Sequence, residues 1–142
     1  MNYKVILKED YLLNRDEYLK DINYLYENDD NKLANIDEIE KHLDFIFGCS
    51  NSLLVMLFND DKLISMVNAY EYNNIYSEWC IFLLFTKKDY RNQGLGYKTL
   101  KIIIDEIKKY NPTKIISGIE EDNIASIKLH KKVGFVYNLK VV

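Results

Sequence analysis

Arg91, Gly94 and Gly96 lie in "RNQGLGYKTL" (91–100), where an apolar run gives way to a helical pattern. Residues of these types at this spacing can hold an anion. The first turn of a helix carries unpaired N–H groups and a partial positive charge. Glycine lets backbone approach an anion with no Cβ in the way, and Arg91 adds a full charge on the same loop. A plain glycine turn with a solvated arginine fits a bare GxG equally well. Two phosphate patterns are excluded. A Walker A loop needs a Gly-Lys pair, and the chain has none. A dinucleotide fingerprint needs a third glycine at position 99, which is Thr99. Both patterns usually follow a first strand, whereas this loop follows the fourth.

The charge distribution bears on what such a loop meets. Residues 1–79 hold 16 acidic and 7 basic side chains, and residues 80–142 hold 6 and 12, within a net charge of −3. A basic half suits an anionic ligand and an acidic half a cationic one, although two solvated surfaces without further meaning give the same counts. A pI of 5.4 and the lack of a basic helix argue against nucleic acid. No apolar run approaches the roughly 20 residues that cross a bilayer, and the N-terminus has no signal-peptide pattern. Cys49 and Cys80 form neither a CxxC nor a disulfide framework, so a reducing cytoplasm is the expectation.

Periodicity supplies the elements that position the loop. "YKVILK" (3–8) reads as a first strand. Asn14 with Glu17, and Asn35 with Glu38, are helix-start signatures followed by apolar stripes. "SLLVMLF" (52–58) and "LISMVNAYEY" (63–72), separated by "NDDK", predict a hairpin. "WCIFLLF" (79–85) is continuously apolar, which predicts a central strand covered on both faces. Gly96, Leu100, Ile103, Ile107 and Tyr110 share a helical face, and the Asn-Pro at 111–112 ends that helix. "KIISGI" (114–119) is a short strand, "NIASIKLHKKVG" (123–134) a helix with a glycine stop, and "FVYNLKVV" (135–142) a last strand. The expected order is β-α-α-β-β-β-α-β-α-β in one mixed α/β domain spanning residues 1–142.

"TKKDYRNQGLGYKTL" resembles motif A of the GNAT superfamily of acetyl-CoA-dependent N-acetyltransferases, [QR]-x-x-G-x-[GA], with Arg91, Asn92, Gln93, Gly94, Leu95 and Gly96 in the pattern. "NIASIKLHKKVGF" resembles the family's second motif, with Asn123, Ser126, Leu129, Gly134 and Phe135 matching. The resemblance implies a central mixed sheet of about six strands flanked by four helices, with the C-terminal strand shortened or absent. It implies that the amides of Asn92 to Tyr97 hold the pyrophosphate of coenzyme A, assisted by Arg91. It further implies that the preceding strand splays from the next one, so that the free backbone of Leu84, Phe85 and Thr86 pairs with the pantetheine arm. Asn123 would reach the pantetheine with Ser126 nearby; an N-cap role for Asn123 is compatible. Lys131 and Lys132 are placed towards the 3′-phosphate, or are merely exposed lysines on a last turn. No metal is implied.

The chemistry implied is transfer of acetyl from acetyl-CoA to a primary amine by direct attack in a ternary complex. In the family the proton donor to the departing thiolate is usually a tyrosine, and His130 stands at that position. An imidazole of ordinary pKa near 6.5 is a different acid from a phenol; the alternative is a histidine that only packs beside Leu129. Glu78 is placed as general base near the start of the fourth strand, on a face shared with Cys80, Phe82 and Leu84, with Glu120 and Glu121 as further candidates. A strand-edge carboxylate in solvent is the competing account of Glu78. Cys80 is a poor nucleophile in an apolar strand, and His42 is expected to be structural or exposed. Tyr70, Tyr72 and Tyr76 are placed weakly along a substrate groove. The acceptor expected is a small-molecule or peptide amine, and the acidic half of the chain suits a cationic one. A non-catalytic coenzyme A-binding module of the same fold is the alternative. The single strand expected after Gly134 pairs parallel with 114–119, or a second subunit fills the gap as in a homodimer.

Overall fold

The computed structural model describes residues 1–27, 29, 35–119 and 122–136. The elements are β1 (Asn2–Ile6), α1 (Lys8–Leu13), α2 (Arg15–Tyr26), α3 (Ile36–Cys49), β2 (Ser52–Asn59), β3 (Lys62–Asn73), β4 (Glu78–Thr86), a 3₁₀ turn (Lys88–Tyr90), α4 (Leu95–Lys108), β5 (Lys114–Ser117) and α5 (Ile124–Val133). The sheet runs β1-β2-β3-β4-β5, with the first four strands antiparallel and β5 parallel to β4. Among the described residues, five strands and five α-helices therefore stand where six and four are expected. The sixth strand, expected at 135–142, lies outside the described residues from 137 onward. α1 was not foreseen: it is six residues long and has no side-chain cap. Among the described residues no helix is long and apolar enough to cross a membrane.

Local chemistry explains most boundaries. The Asn35 side chain accepts from the Asp37 N–H at 2.8 Å, and acidic Asp37 and Glu38 occupy the positive end of α3. Asn14 behaves differently from the expected cap. It donates to Asp10 Oδ1 at 2.7 Å and so ties α1 to the start of α2. Arg15 then joins α2 to α3 through a bidentate pair with Asp44, both contacts at 2.8 Å. Asp60 and Asp61 form the two-residue tip of the β2–β3 hairpin, because Asn59 pairs with Lys62.

Alternation on β2 divides the core. Leu54, Met56 and Phe58 face α1–α3 together with Ile6, Ile22, Leu43 and Phe47. Leu53 and Val55 face the other way, with Trp79, Ile81, Leu100, Ile103 and Ile107 under α4 and α5. The central strands covered on both faces are β2 and β3. β4 departs from that expectation: Phe82 is 43% exposed and Cys80 half-buried.

The reason is a fork. β5 pairs with β4 only from Glu78 to Ile81, the last pair being Ile81 with Ser117. At that point β4 bulges. Asn68 pairs with Phe82 and Met66 with Phe85, so Val67 alone opposes Leu83 and Leu84, and Leu83 takes φ +58°. The bulge also corrects an expected alternation. Glu78, Cys80 and Phe82 share the α3 side, but Leu84 packs on the α4–α5 side, while Leu83 and Phe85 pack on the other. One inserted residue reverses the side-chain parity beyond it.

Candidate functional site: a glycine loop, a sheet fork and an aromatic cleft

The loop leaves β4 through the 3₁₀ turn and reaches α4 by way of two left-handed residues, Asn92 (φ +63°) and Gly94 (φ +77°). Gly94 is the N-cap, and no side chain caps this end. The ladder begins with Lys98 N–H donating to Gly94 O at 3.1 Å. The amides of Leu95, Gly96 and Tyr97 precede that bond and have no acceptor within the helix. Arg91 to Gly94 are exposed.

The two glycines serve different ends. A Cβ on Gly94 would meet nothing within 4 Å, so the space before the helix is open. A Cβ on Gly96 would lie 3.1 Å from Leu129 Cδ2, so Gly96 lets α4 lie close to α5. Thr99, at the position of the missing third glycine, is fully buried. Its Oγ1 lies 3.0 Å from Ser65 Oγ, which lies 3.0 Å from Thr86 Oγ1. That hydroxyl chain fixes the first turns of α4 against β3 and the end of β4.

Arg91 is turned away from the open space. Its Nη2 pairs with Asp29 at 2.8 Å, its Nε donates to Thr86 O at 3.0 Å, and its guanidinium lies 5.2 Å from the Phe85 ring centre. Lys132 reaches the first turn of α4, its Nζ 4.6 Å from the Tyr97 ring centre.

Among the described residues, the edge of β4 from Phe82 to Thr86 has no strand beside it where β5 has left. Thr86 O is occupied by Arg91. His130 and Ser117 stand at the closed end of the fork. His130 is 4% exposed. Its Nδ1 donates to Ser126 O at 2.7 Å, so Nε2 of the neutral ring accepts from Ser117 Oγ at 2.8 Å. Its ring also meets Phe135 edge-on at 5.2 Å. Asn123 caps α5, accepting from Ser126 N–H at 3.1 Å. His130 thus faces β5, while Asn123 remains exposed at the helix start.

Burial pushes the pKa of His130 below its ordinary value, opposed in part by the bond to Ser126. Burial lowers His42 likewise, opposed by its contact with Asn68. Below about pH 6.5 the unfolded chain therefore binds more protons than the folded one. Stability should be complete above that pH and fall as pH drops through the depressed folded values. Thermal scans between about pH 7.5 and 5 test this. His130→Leu should flatten the profile, and an unchanged slope would remove His130 as a cause.

On the α3 side of the fork, His42 packs against Phe82 (ring centres 4.7 Å) and edge-on to Tyr70 (5.8 Å). Its Nε2 lies 3.4 Å from Asn68 Nδ2. Tyr70 also lines a cavity of about 700 Å³, together with Lys8, Phe45, Glu71 and Tyr72. The Glu71 side chain is buried on the face it shares with its cross-strand partner Trp79, accepting from Asn51 (3.0 Å) and Ser77 (2.9 Å). Glu78 accepts from Tyr72 Oη at 2.8 Å. It lies at the start of β4, four residues before the fork. Burial raises the Cys80 thiol, which keeps it protonated. Glu120 and Glu121 lie outside the described residues.

Three residues of this region were not picked out as a site from sequence. His42 is expected from sequence to be structural or exposed, and Asn68 and Ser117 stand out only as members of their strands. The signal for Asn68 was available: it is one amide inside "LISMVNAY", a strand otherwise built for burial. Nothing in the sequence ties Ser117 to His130.

Residues 15–135 match the acetyltransferase (GNAT) family. The L-amino acid N-acyltransferase MnaT of Escherichia coli K12 is 38% identical over 53 residues, 37% of this chain and 31% of that protein, so the match spans about a third of the relative's length. The probable spermine N(1)-acetyltransferase of Bacillus subtilis subsp. natto is 27% identical over 114 residues, 76% of this chain and 75% of that one. Among solved structures, the apo aminoglycoside 6′-N-acetyltransferase AAC(6′)-IG of Acinetobacter haemolyticus superposes with a TM-score of 0.71 at 19% identity. That superposition covers 100% of this chain and 95% of the other, and shows the same fold. With 121 of 142 residues inside the family match, the chain belongs to the acetyltransferase (GNAT) family.

Proposed function

We propose that the chain transfers an acetyl group from acetyl-CoA to a primary amine by direct attack in a ternary complex. The observation that carries this reading is the coincidence of an uncapped glycine-led helix start with a half-unpaired strand edge on one side of the sheet. The amides of Leu95, Gly96 and Tyr97 suit a pyrophosphate, with Asn92, Gln93 and Gly94 framing the open space. Lys132 adds charge beside it, and Arg91 acts by holding the loop to Asp29 and Thr86. The open edge at Leu84 and Phe85 suits the amides of a pantetheine arm, with Asn123 and Ser126 bordering it from α5. The amine forms the new C–N bond as the C–S bond breaks, and the thiolate takes a proton. His130 is assigned as that donor. Glu78 would serve as base or as an anionic lure at the cleft mouth.

A coenzyme A-binding module without turnover is the second reading, favoured by the engagement of both His130 ring nitrogens within the protein. Thiol release on mixing acetyl-CoA with amines decides between them: binding without release would establish the module.

The acceptor is proposed to be a cationic small amine. Aromatic Tyr70 and Tyr72 beside Glu78 form a surface for it, within the acidic half of the chain. Relatives and fold neighbours suggest the panel: spermine, L-methionine sulfone and the aminoglycoside sisomicin. Rates with spermine and sisomicin should fall as salt rises, since exposed charges are screened over about 8–10 Å. A preference for L-methionine sulfone with no salt effect would overturn this acceptor class. The outer edge of β5 among the described residues supports covering by a last strand, from this chain or from a second copy.

A further inference from the structure

Asn68 is fully buried on β3, and its Oδ1 is the buried side-chain atom without a hydrogen-bond partner among the described residues. An unpaired buried acceptor costs about 1–3 kcal/mol, and a valine or leucine would spare the fold that cost. Such an atom in a native strand calls for an occupant. Its place is specific: Asn68 pairs across from Phe82, the first residue of β4 that β5 leaves uncovered. The imidazole of His42 stands beside it, with Nε2 facing the same amide.

We propose that Asn68 and His42 receive the acceptor amine at the fork: Asn68 Oδ1 accepts one N–H of the ammonium, and His42 Nε2 removes a proton from it. The proposal rests on the acetyl-transfer reading above. The Asn68 amide is fully buried behind half-buried His42 and Phe82, which is 43% exposed, so the amine reaches it by displacing the Phe82 ring. The faces of Tyr70 and Phe82 favour a cation before it loses its charge. In the tautomer with Nδ1–H, the one lone pair of Nε2 faces Asn68 Nδ2 at a long 3.4 Å, a contact that the arriving ammonium replaces as it donates to Nε2 and to Asn68 Oδ1.

The balance is as follows. The ammonium gives one proton to His42 and becomes a neutral amine. Its lone pair forms the C–N bond to the thioester carbon, and the C–S bond breaks. The second proton leaves the adduct's nitrogen and ends on the coenzyme A thiolate. His42 returns its proton to solvent.

The groups facing His42 are Asn68 and Tyr70 from β3 and Phe82 from β4, with Cys80 beside Tyr70. On its own helix Glu38 and Lys41 are exposed. Tyr70 and Cys80 are both raised by burial and remain neutral near pH 7. His42, lowered by burial, is neutral there as well, the form a base requires. Glu78 is the competing base, but it sits at the far end of β4.

The experiment compares the parent chain, His42→Gln and Asn68→Leu with spermine as acceptor, and repeats the comparison with sisomicin and L-methionine sulfone. His42→Gln should lower kcat/KM about 10²-fold near pH 7 with acetyl-CoA affinity unchanged. The deficit should shrink as the pH approaches about 10, where the amine sheds its own proton. Asn68→Leu should raise the amine KM about tenfold while Tm holds or rises, since a buried unpaired atom has gone. A His42→Gln deficit equal at every pH, full activity in that variant, or the same pH signature in Glu78→Gln instead would overturn the proposal. Failure of spermine alone strikes the polyamine reading, and the amine that reacts then decides His42. A parent chain inert to all three amines while binding acetyl-CoA overturns the proposed function along with this inference.

Discussion

Gly94→Trp should abolish measurable acetyl-CoA binding in calorimetry, a loss of at least about 10²-fold, while leaving a folded protein. The left-handed φ of +77° costs a side chain roughly 1–2 kcal/mol. For a domain of this size that is a Tm drop of several degrees, not loss of the fold. The affinity falls because the new side chain fills the empty region before the first turn of α4, where a Cβ now meets nothing within 4 Å. Gly94→Asn, whose side chain tolerates the left-handed region, should keep most of the stability and part of the affinity. Gly96→Trp should behave in the opposite way. Its bulk meets Leu129 of α5 rather than open space, so the α4–α5 contact fails and the melting transition weakens before any binding is lost. Of the two glycines in the motif, Gly94 fronts the open space and Gly96 the contact with α5. Parental affinity in folded Gly94→Trp would remove the loop as the cofactor site.

His130→Ala should lower kcat about 10²-fold with acetyl-CoA affinity nearly unchanged, if the imidazole supplies the thiolate's proton. The geometry adds a cost to that expectation. Removing the ring frees Ser117 Oγ and Ser126 O and hollows the contact with Phe135, so Tm should fall too. His130→Leu separates the two effects because it keeps the volume and discards the proton. A His130→Leu protein that binds acetyl-CoA and turns over at the parental rate would reduce His130 to a strut between β5 and α5. His130→Tyr should recover part of the rate and move the falling limb of the kcat–pH profile upward, since a phenol keeps its proton longer than an imidazolium. The buried position makes the larger ring a tight fit, so that variant is judged at matched stability.

What could be read from the sequence was what local chemistry decides. Asn35 and Asn123 cap the helices they precede, and Gly134, at φ +109°, ends the helix it follows. Leu100, Ile103 and Ile107 form the buried face that their spacing requires. The loop at 91–97 was found because glycine placement is a local signal. The fork was not legible in the residues themselves and entered only through the resemblance. Its pivot is a leucine at φ +58°, a conformation leucine does not advertise, and the departure of β5 follows from packing. The continuous apolar run of β4 reads as coverage on both faces, yet Phe82 is 43% exposed and Cys80 half-buried within it. His42 and Asn68 lie 26 positions apart, on a helix and a strand that meet only once the sheet has formed. Arg91 read as a phosphate ligand by type, and its engagement with Asp29 depends on where the chain after α2 comes to rest.

The half-unpaired β4 edge has a consequence for the fate of the empty protein. Bare N–H and C=O groups on a strand edge are a template for another chain, and proteins usually blunt or cover such edges. Here the run from Phe82 to Phe85 is apolar, with no proline, lysine or acidic residue to repel a stray strand. A molecule lying along that edge would act as its missing neighbour. Saturation would then guard against self-association as well as supply the reaction, adding about 2.7 kcal/mol of stability at a ligand concentration of 100 Kd. Starved of that ligand, the protein should aggregate sooner and be cleared faster, so its abundance would follow the supply of what it consumes.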